Sequence, residues 1–144
     1  MKRALAVAAV ALALAAGAHA EGLDVILVRQ AGQDLLLSDF AGIRAVVMLK
    51  GDVKTLQKPA LAMARWMKVF PTMFPPGSDK GDNTHARPAI WTNNAEFRKD
   101  AENLVTTADA LAEAAKSDDA AAVQKQLKVV GDACNTCHHA FRYQ

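Results

Sequence analysis

Apolar residues recur along this chain at intervals of three and four, and no useful stretch alternates apolar with polar. That period places side chains on one face of an α-helix. Four such stretches follow one another. The first runs from about Leu23 to Met48, with Ile26, Leu36, Leu37 and Phe40 marking an apolar face. Arg29 and Gln33 fall among them at i+3 and i+7 from Ile26, and Gly42 is expected to loosen or end the helix before Ile43. The second begins at Asp52 or Pro59 and reaches Phe70, its stripe being Leu56, Ala60, Met63, Met67 and Phe70. If Asp52 caps it, Pro59 fits only as an early-turn proline.

Residues 71 to 92 then carry Pro71, Pro75, Pro76, Pro88, Gly77 and Gly81, which predicts a long surface connection. The third helix starts at Asn93 or Asn94 and ends at Lys116, with Phe97, Leu104, Ala108, Leu111 and Ala115 inward. Ser117 and Asp118 are expected to break it and cap the next. The fourth runs from Asp119 to the C-terminus on the stripe Val123, Leu127, Val130, Cys134, Cys137 and Phe141. The pattern predicts an all-α protein, an antiparallel four-helix bundle, with both cysteines on its core stripe.

The first twenty residues read differently. Lys2 and Arg3 precede an unbroken apolar run from Ala4 to Ala16, and Ala18-His19-Ala20 supplies a small-residue cleavage site. Residues 1–20 are thus expected to be a secretory signal peptide, and residues 21–144 a single exported domain in the periplasm. Cleavage removes two of the 17 basic residues and none of the 15 acidic ones, leaving 15 of each. A near-neutral chain without a basic patch argues against nucleic acid or an anionic membrane as partner. No second run approaches spanning length, so an integral membrane protein is not expected.

The candidate chemistry is concentrated in Cys134-Asn135-Thr136-Cys137-His138. Two thiols one helical turn apart, followed at once by an imidazole, form the attachment pattern of c-type haem. The thiols can reach the vinyl groups along one porphyrin edge, and a neutral imidazole nitrogen of His138 can bind the iron. A zinc site would need further thiolate or imidazole ligands at finger-like spacing, and no second cluster exists. A thioredoxin-like pair should open a helix after a strand, whereas this one closes a helical pattern. A structural disulfide in a bundle without cofactor is the remaining alternative. Export favours haem, because thioether formation consumes a thiol pair that an oxidising compartment would otherwise oxidise.

The C-terminal Cys134–Arg142 segment, Val28-Arg29-Gln30 in the first helix, and Ala86-Arg87-Pro88-Ala89-Ile90-Trp91 with Phe97 resemble cytochromes c′ and their c-556-type relatives, across essentially the whole exported chain. The resemblance implies one haem c, bound by thioethers at Cys134 and Cys137, with His138 as proximal iron ligand. It implies that Arg29 pairs with a haem propionate, which suits a buried carboxylate's need for a bidentate cation. It places Arg142 one turn beyond the ligand, beside the proximal face. The residue four after the first-helix arginine faces the iron from the distal side in this family; it is commonly apolar, or methionine in the low-spin relatives. Here it is Gln33. Glutamine there leaves three options: a five-coordinate iron, a hydrogen bond to bound gas or water, or weak ligation. In a slightly rotated helix, Leu36 or Leu37 would cover the iron instead.

Met63 and Met67 read as core packing, Trp66 and Trp91 as core or haem-edge aromatics. His85 and His139 are weak candidates for a second iron ligand. No catalytic triad, carboxylate pair or phosphate-binding loop stands out, so an enzyme is not expected. Two functions remain: one-electron transfer to redox partner proteins, or capture of a small gas such as NO or CO at an open distal site. A homodimer through the first two helices is a further implication of the resemblance.

Overall fold

The computed structural model describes residues 24–144, so the signal peptide expected over residues 1–20 lies outside them. The described residues form five α-helices, one of them of a single turn. They are α1 (Val25–Met48), α2 (Gln57–Val69), α3 (Ala89–Thr92), α4 (Asn94–Lys116) and α5 (Ala120–Phe141). The four long ones form an antiparallel bundle. Short 3₁₀ turns at Val53–Leu56 and Phe70–Met73 extend α2 at its two ends.

α1, α5 and the first 3₁₀ turn begin where side chains can serve free backbone donors. The Asp24 carboxylate accepts from Ile26 and Leu27 N–H, Asp52 from Lys54 N–H, and Asp119 from Ala122 N–H. Asp119, rather than Ser117 or Asp118, therefore caps α5; Asp118 turns the chain at φ 61° instead. Pro59 is the third residue of α2, where its missing N–H costs no helical bond. Asp52 and the 3₁₀ turn thus provide one start and Gln57 the other. Gly42 does not end α1, which continues to Met48. Its outward position explains this: a glycine there disturbs no packing and weakens the helix only through backbone entropy.

The core follows the predicted stripes with one clear departure. Phe97, Leu104, Ala108, Leu111 and Ala115 are buried on α4, and Val123, Val130 and Phe141 on α5. On α1, Ile26, Leu36 and Ile43 turn inward, but Leu37 is 62% exposed. One residue further along a helix is a rotation of about 100°, enough to move Leu37 to the rim.

The packing is uneven. The α2–α4 and α4–α5 interfaces are the most extensive, whereas α1 meets α5 at few points. Alanines account for the close pairs: Ala60, Ala64, Ala101, Ala108, Ala112 and Ala115 are all buried, and small side chains let helix axes approach. Between α1 and α2 the close approach is made by Gly32, where a Cβ would collide with the Trp66 ring. Between α1 and α5 the helices diverge.

Candidate functional site

The divergence of α1 from α5 leaves a groove of about 800 Å³ at the end of the bundle where α1 starts and α5 finishes. Its floor is apolar: Leu36, Met67, Phe70, Ile90, Phe97, Leu104 and Phe141. Phe74 and Phe97 stand edge-to-face with centroids 5.0 Å apart, and Phe97 and Phe141 do so at 5.3 Å. Such pairs hold ring positions by quadrupole as well as by area.

The α5 wall carries the thiols. Cys134 and Cys137 are half-buried, line the groove and are not joined in a disulfide. Burial raises the pKa of both; for Cys137 the value is pushed up to about 12, with Asp100 and Cys134 adding to the effect of desolvation. Both are therefore neutral thiols at physiological pH. His138 lines the same groove and also a second hollow shared with Arg87, His139, Arg142 and Tyr143. Desolvation, and then Arg142, push its pKa below the ordinary value, although the residue as a whole is exposed. A neutral imidazole, the form that binds metals, is favoured.

The α1 wall presents Arg29, Gln30, Gln33, Leu36, Leu37 and Phe40. Arg29 is only 4% exposed. Its guanidinium donates to the Met73 carbonyl (3.2 Å), Ser78 Oγ (3.0 Å), the Ser78 carbonyl (2.7 Å) and Thr84 Oγ1 (2.6 Å). It also lies 4.5 Å from the centre of the Phe74 ring. Among the described residues no carboxylate forms an ion pair with it. Burial lowers its pKa and Asp24 opposes that, but a guanidinium remains charged throughout. A buried cation facing an apolar cavity without a counter-ion is costly, and an anionic group entering the groove would relieve it.

The connecting segment closes the site. Arg87 N–H donates to the Phe141 carbonyl (3.0 Å), and Tyr143 N–H donates to the His85 carbonyl (2.8 Å). The Arg87 guanidinium donates to the His139 carbonyl at 2.8 Å. Arg142 is thus held in a short antiparallel pairing with Ala86 at the end of the chain. Ile90 is buried, and the Trp91 indole N–H donates to the Phe74 carbonyl (3.1 Å).

All six residues singled out in the sequence, Arg29, Gln33, Cys134, Cys137, His138 and Arg142, line one groove. Met67 and His85 line it too, whereas Met63 is fully buried and does not. Asp100, Thr84 and Ser78 were not foreseen. Asp100 carries the signal of a polar residue beside the Phe97–Leu104 stripe; Ser78 and Thr84 carry none, because only the fold brings them to Arg29.

The family model for cytochrome c′ matches residues 24–142. The chain belongs to the cytochrome c′ family. Cytochrome c′ of Rubrivivax gelatinosus is 31% identical over 83% of this chain and 94% of its own length. A crystal structure of a cytochrome c′ with ligand-controlled dimer dissociation superposes with a TM-score of 0.79 at 27% identity, covering 84% of this chain and 95% of that one. A nitric oxide complex of a mutant cytochrome c′ from Alcaligenes xylosoxidans superposes at 0.75 with 25% identity, with coverage of 84% and 95%. Cytochromes c′ are monohaem c-type proteins, electron carriers or gas binders built on a four-helix bundle. No helix among the described residues is long and apolar enough to cross a membrane.

Proposed function

We propose that this chain is an exported, periplasmic monohaem cytochrome that transfers single electrons, with haem c seated in the groove between α1 and α5. The observation that carries the reading is the company Arg29 keeps: a buried cation with no anionic partner among the described residues, two neutral thiols and a neutral imidazole border one apolar cavity. The donor set fits the group. Cys134 and Cys137 would take the two thioethers, each S–H adding across a vinyl group. His138 would supply the axial nitrogen, and Arg142 beside it disfavours protonation of the imidazole. Arg29 would pair with a propionate while its bonds to Ser78 and Thr84 keep the connecting segment in place. Phe70, Phe74, Phe97 and Phe141 exclude water from the site. An iron porphyrin bound there supplies a one-electron couple, whose potential the surrounding charges and apolar side chains tune.

Gas capture is the second reading, and the α1 wall favours it. Gln33, Leu36, Leu37 and Phe40 provide neither the thioether nor the imidazole that would close a sixth iron position firmly. NO or CO would enter there; a mutant of one relative, the cytochrome c′ of Alcaligenes xylosoxidans, forms a nitric oxide complex. Partner proteins would be soluble or membrane-associated redox proteins meeting the open side of the groove. A second copy of the chain would meet the outer face of α1, where Leu27 and Leu35 are 55% and 70% exposed.

Production in a host able to attach haem tests both readings. Covalent haem by intact mass, lost when Cys134 and Cys137 are both replaced by serine, is the expected result. A ferrous spectrum that shifts with carbon monoxide assigns an open distal position; a sharp low-spin spectrum indifferent to the gas assigns a closed one. Protein without covalent haem would overturn the proposal.

A further inference from the structure

Two carboxylates line the groove, and they differ. Asp34 on α1 is exposed, whereas Asp100 on α4 is half-buried. Asp100 stands one helical turn beyond Phe97, toward the closed end of the bundle, and joins no ion pair among the described residues. Burial there disfavours its charge, and the apolar Phe97 and Leu104 on the same side of the groove offer nothing in return. Its charge reaches α5, where it helps to hold the proton of the Cys137 thiol. The cation of the groove lies elsewhere. Arg29 sits 4.5 Å from the centre of the Phe74 ring, Phe74 meets Phe97 at 5.0 Å, and Asp100 follows one turn further in. Asp24 is the charge that bears on Arg29, while Glu96 and Lys99 bear on Asp100. The cavity is thus electrically polarised, with a cation beneath the connecting segment and an anion deeper in, beside a thiol.

We propose that Asp100 is a positioning residue for the prosthetic group: its carboxylate repels the propionates from the α4–α5 side of the groove, so that only the vinyl edge comes to rest against Cys134 and Cys137. This rests on the haem reading above. The body of a haem is flat and apolar, and the hydrophobic effect that buries it is non-directional, so burial alone does not tell one edge from the other. Charge does. The propionates are drawn toward Arg29 and driven from Asp100, and two opposite charges acting from separate places fix an orientation. In a cavity of low polarity, like charges repel more strongly than the same pair in water. Asp100 therefore weakens the fold where it stands and selects how the groove is filled.

The test follows attachment in vitro. Ferrous haem is mixed with apo-protein whose thiols are reduced, and intact mass divides the bound haem into covalent and unattached. Asp100→Asn should leave about tenfold more of the bound haem unattached than the parent, whereas Asp100→Glu, which keeps the charge, should behave as the parent does. With the dimethyl ester of haem, which carries no propionate charge, the parent and Asp100→Asn should attach to the same extent. Equal attachment of ordinary haem by the parent and Asp100→Asn would overturn this proposal and leave the haem reading standing. So would a deficit that persists with the dimethyl ester, since Asp100 would then act on the thiol or the vinyl group. A parent that binds haem and leaves most of it unattached would also overturn it, because its groove would not present the vinyl edge unaided. Protein with no covalent haem after maturation in a haem-competent host would overturn both.

Discussion

Where α1 ends and α2 begins, Ile43, Leu56, Ala60, Met63, Leu111, Ala115 and Val123 meet, none more than 2% exposed. At the opposite end the same four helices surround a groove, and there Arg29 is buried with no carboxylate paired to it among the described residues, the thiols are half-buried and Leu37 stands exposed at the groove's rim. Composition makes the difference. The closed end is filled by small and aliphatic side chains that let helices touch, whereas aromatics and one arginine hold the other end apart. One end is complete as folded; the other is shaped for a rigid apolar body with an anionic edge. The closed end should therefore behave identically with and without haem, and the groove end should not.

The sharpest way to break this contrast is a cavity at the closed end. Met63→Ala should cost about 2–5 kcal/mol, by the same amount in apo- and holo-protein, measured by urea unfolding. A loss confined to the holo-protein would show that the two ends are coupled. Next is Arg29→Met. In the holo-protein it removes one partner of a buried ion pair and should cost about 3 kcal/mol. In the apo-protein it also removes an uncompensated charge, so the loss should be less than half as large. Equal losses would sink the idea that Arg29 awaits an anion.

The smallest effect concerns Asp100, on the α4 side of the groove. Burial and then Glu96 raise its pKa above the ordinary 3.8, with Lys99 opposing. An acid whose pKa is higher folded than unfolded binds its proton more tightly in the native state. Stability is then lost as pH rises from about 3.8 to the raised value, and stays lower above it. Asp100→Asn should match the parent protein below that window and exceed it above, read from unfolding midpoints across pH. A variant less stable at neutral pH would reverse the sign.

How far the sequence foretold this molecule can be judged residue by residue. Helical stripes on α4 and α5 were legible because burial repeats at the period of the helix, and Phe97, Leu111 and Val130 fall where the period puts them. The cysteine–histidine cluster was legible because attachment chemistry needs three residues within one turn. Leu37 lies on the groove wall with Gln33 and Phe40 but is 62% exposed, because its side of α1 meets the groove and not the closed core. Asp119 rather than Asp118 caps α5 because the αL turn at Asp118 comes first. The cradle of Arg29 was illegible: Ser78 and Thr84 lie in a proline- and glycine-rich connection whose course no local pattern reveals. The groove itself, a failure of two helices to pack, leaves no periodic trace.

The pairing of Ala86 with Arg142 has a consequence for the order in which the protein comes into being. A chain made and moved from its first residue onward exposes α1 early, with Arg29 and the apolar side of Leu36 and Phe40 uncovered. The wall opposite, the thiols and the imidazole emerge after the other three long helices, and the connecting segment cannot latch until Phe141 and Tyr143 arrive. A nascent chain can thus build the dry end of the bundle, but has nowhere to hold a prosthetic group. Only a polypeptide extended through Tyr143 offers a cradle, so loading of the site must follow the appearance of α5.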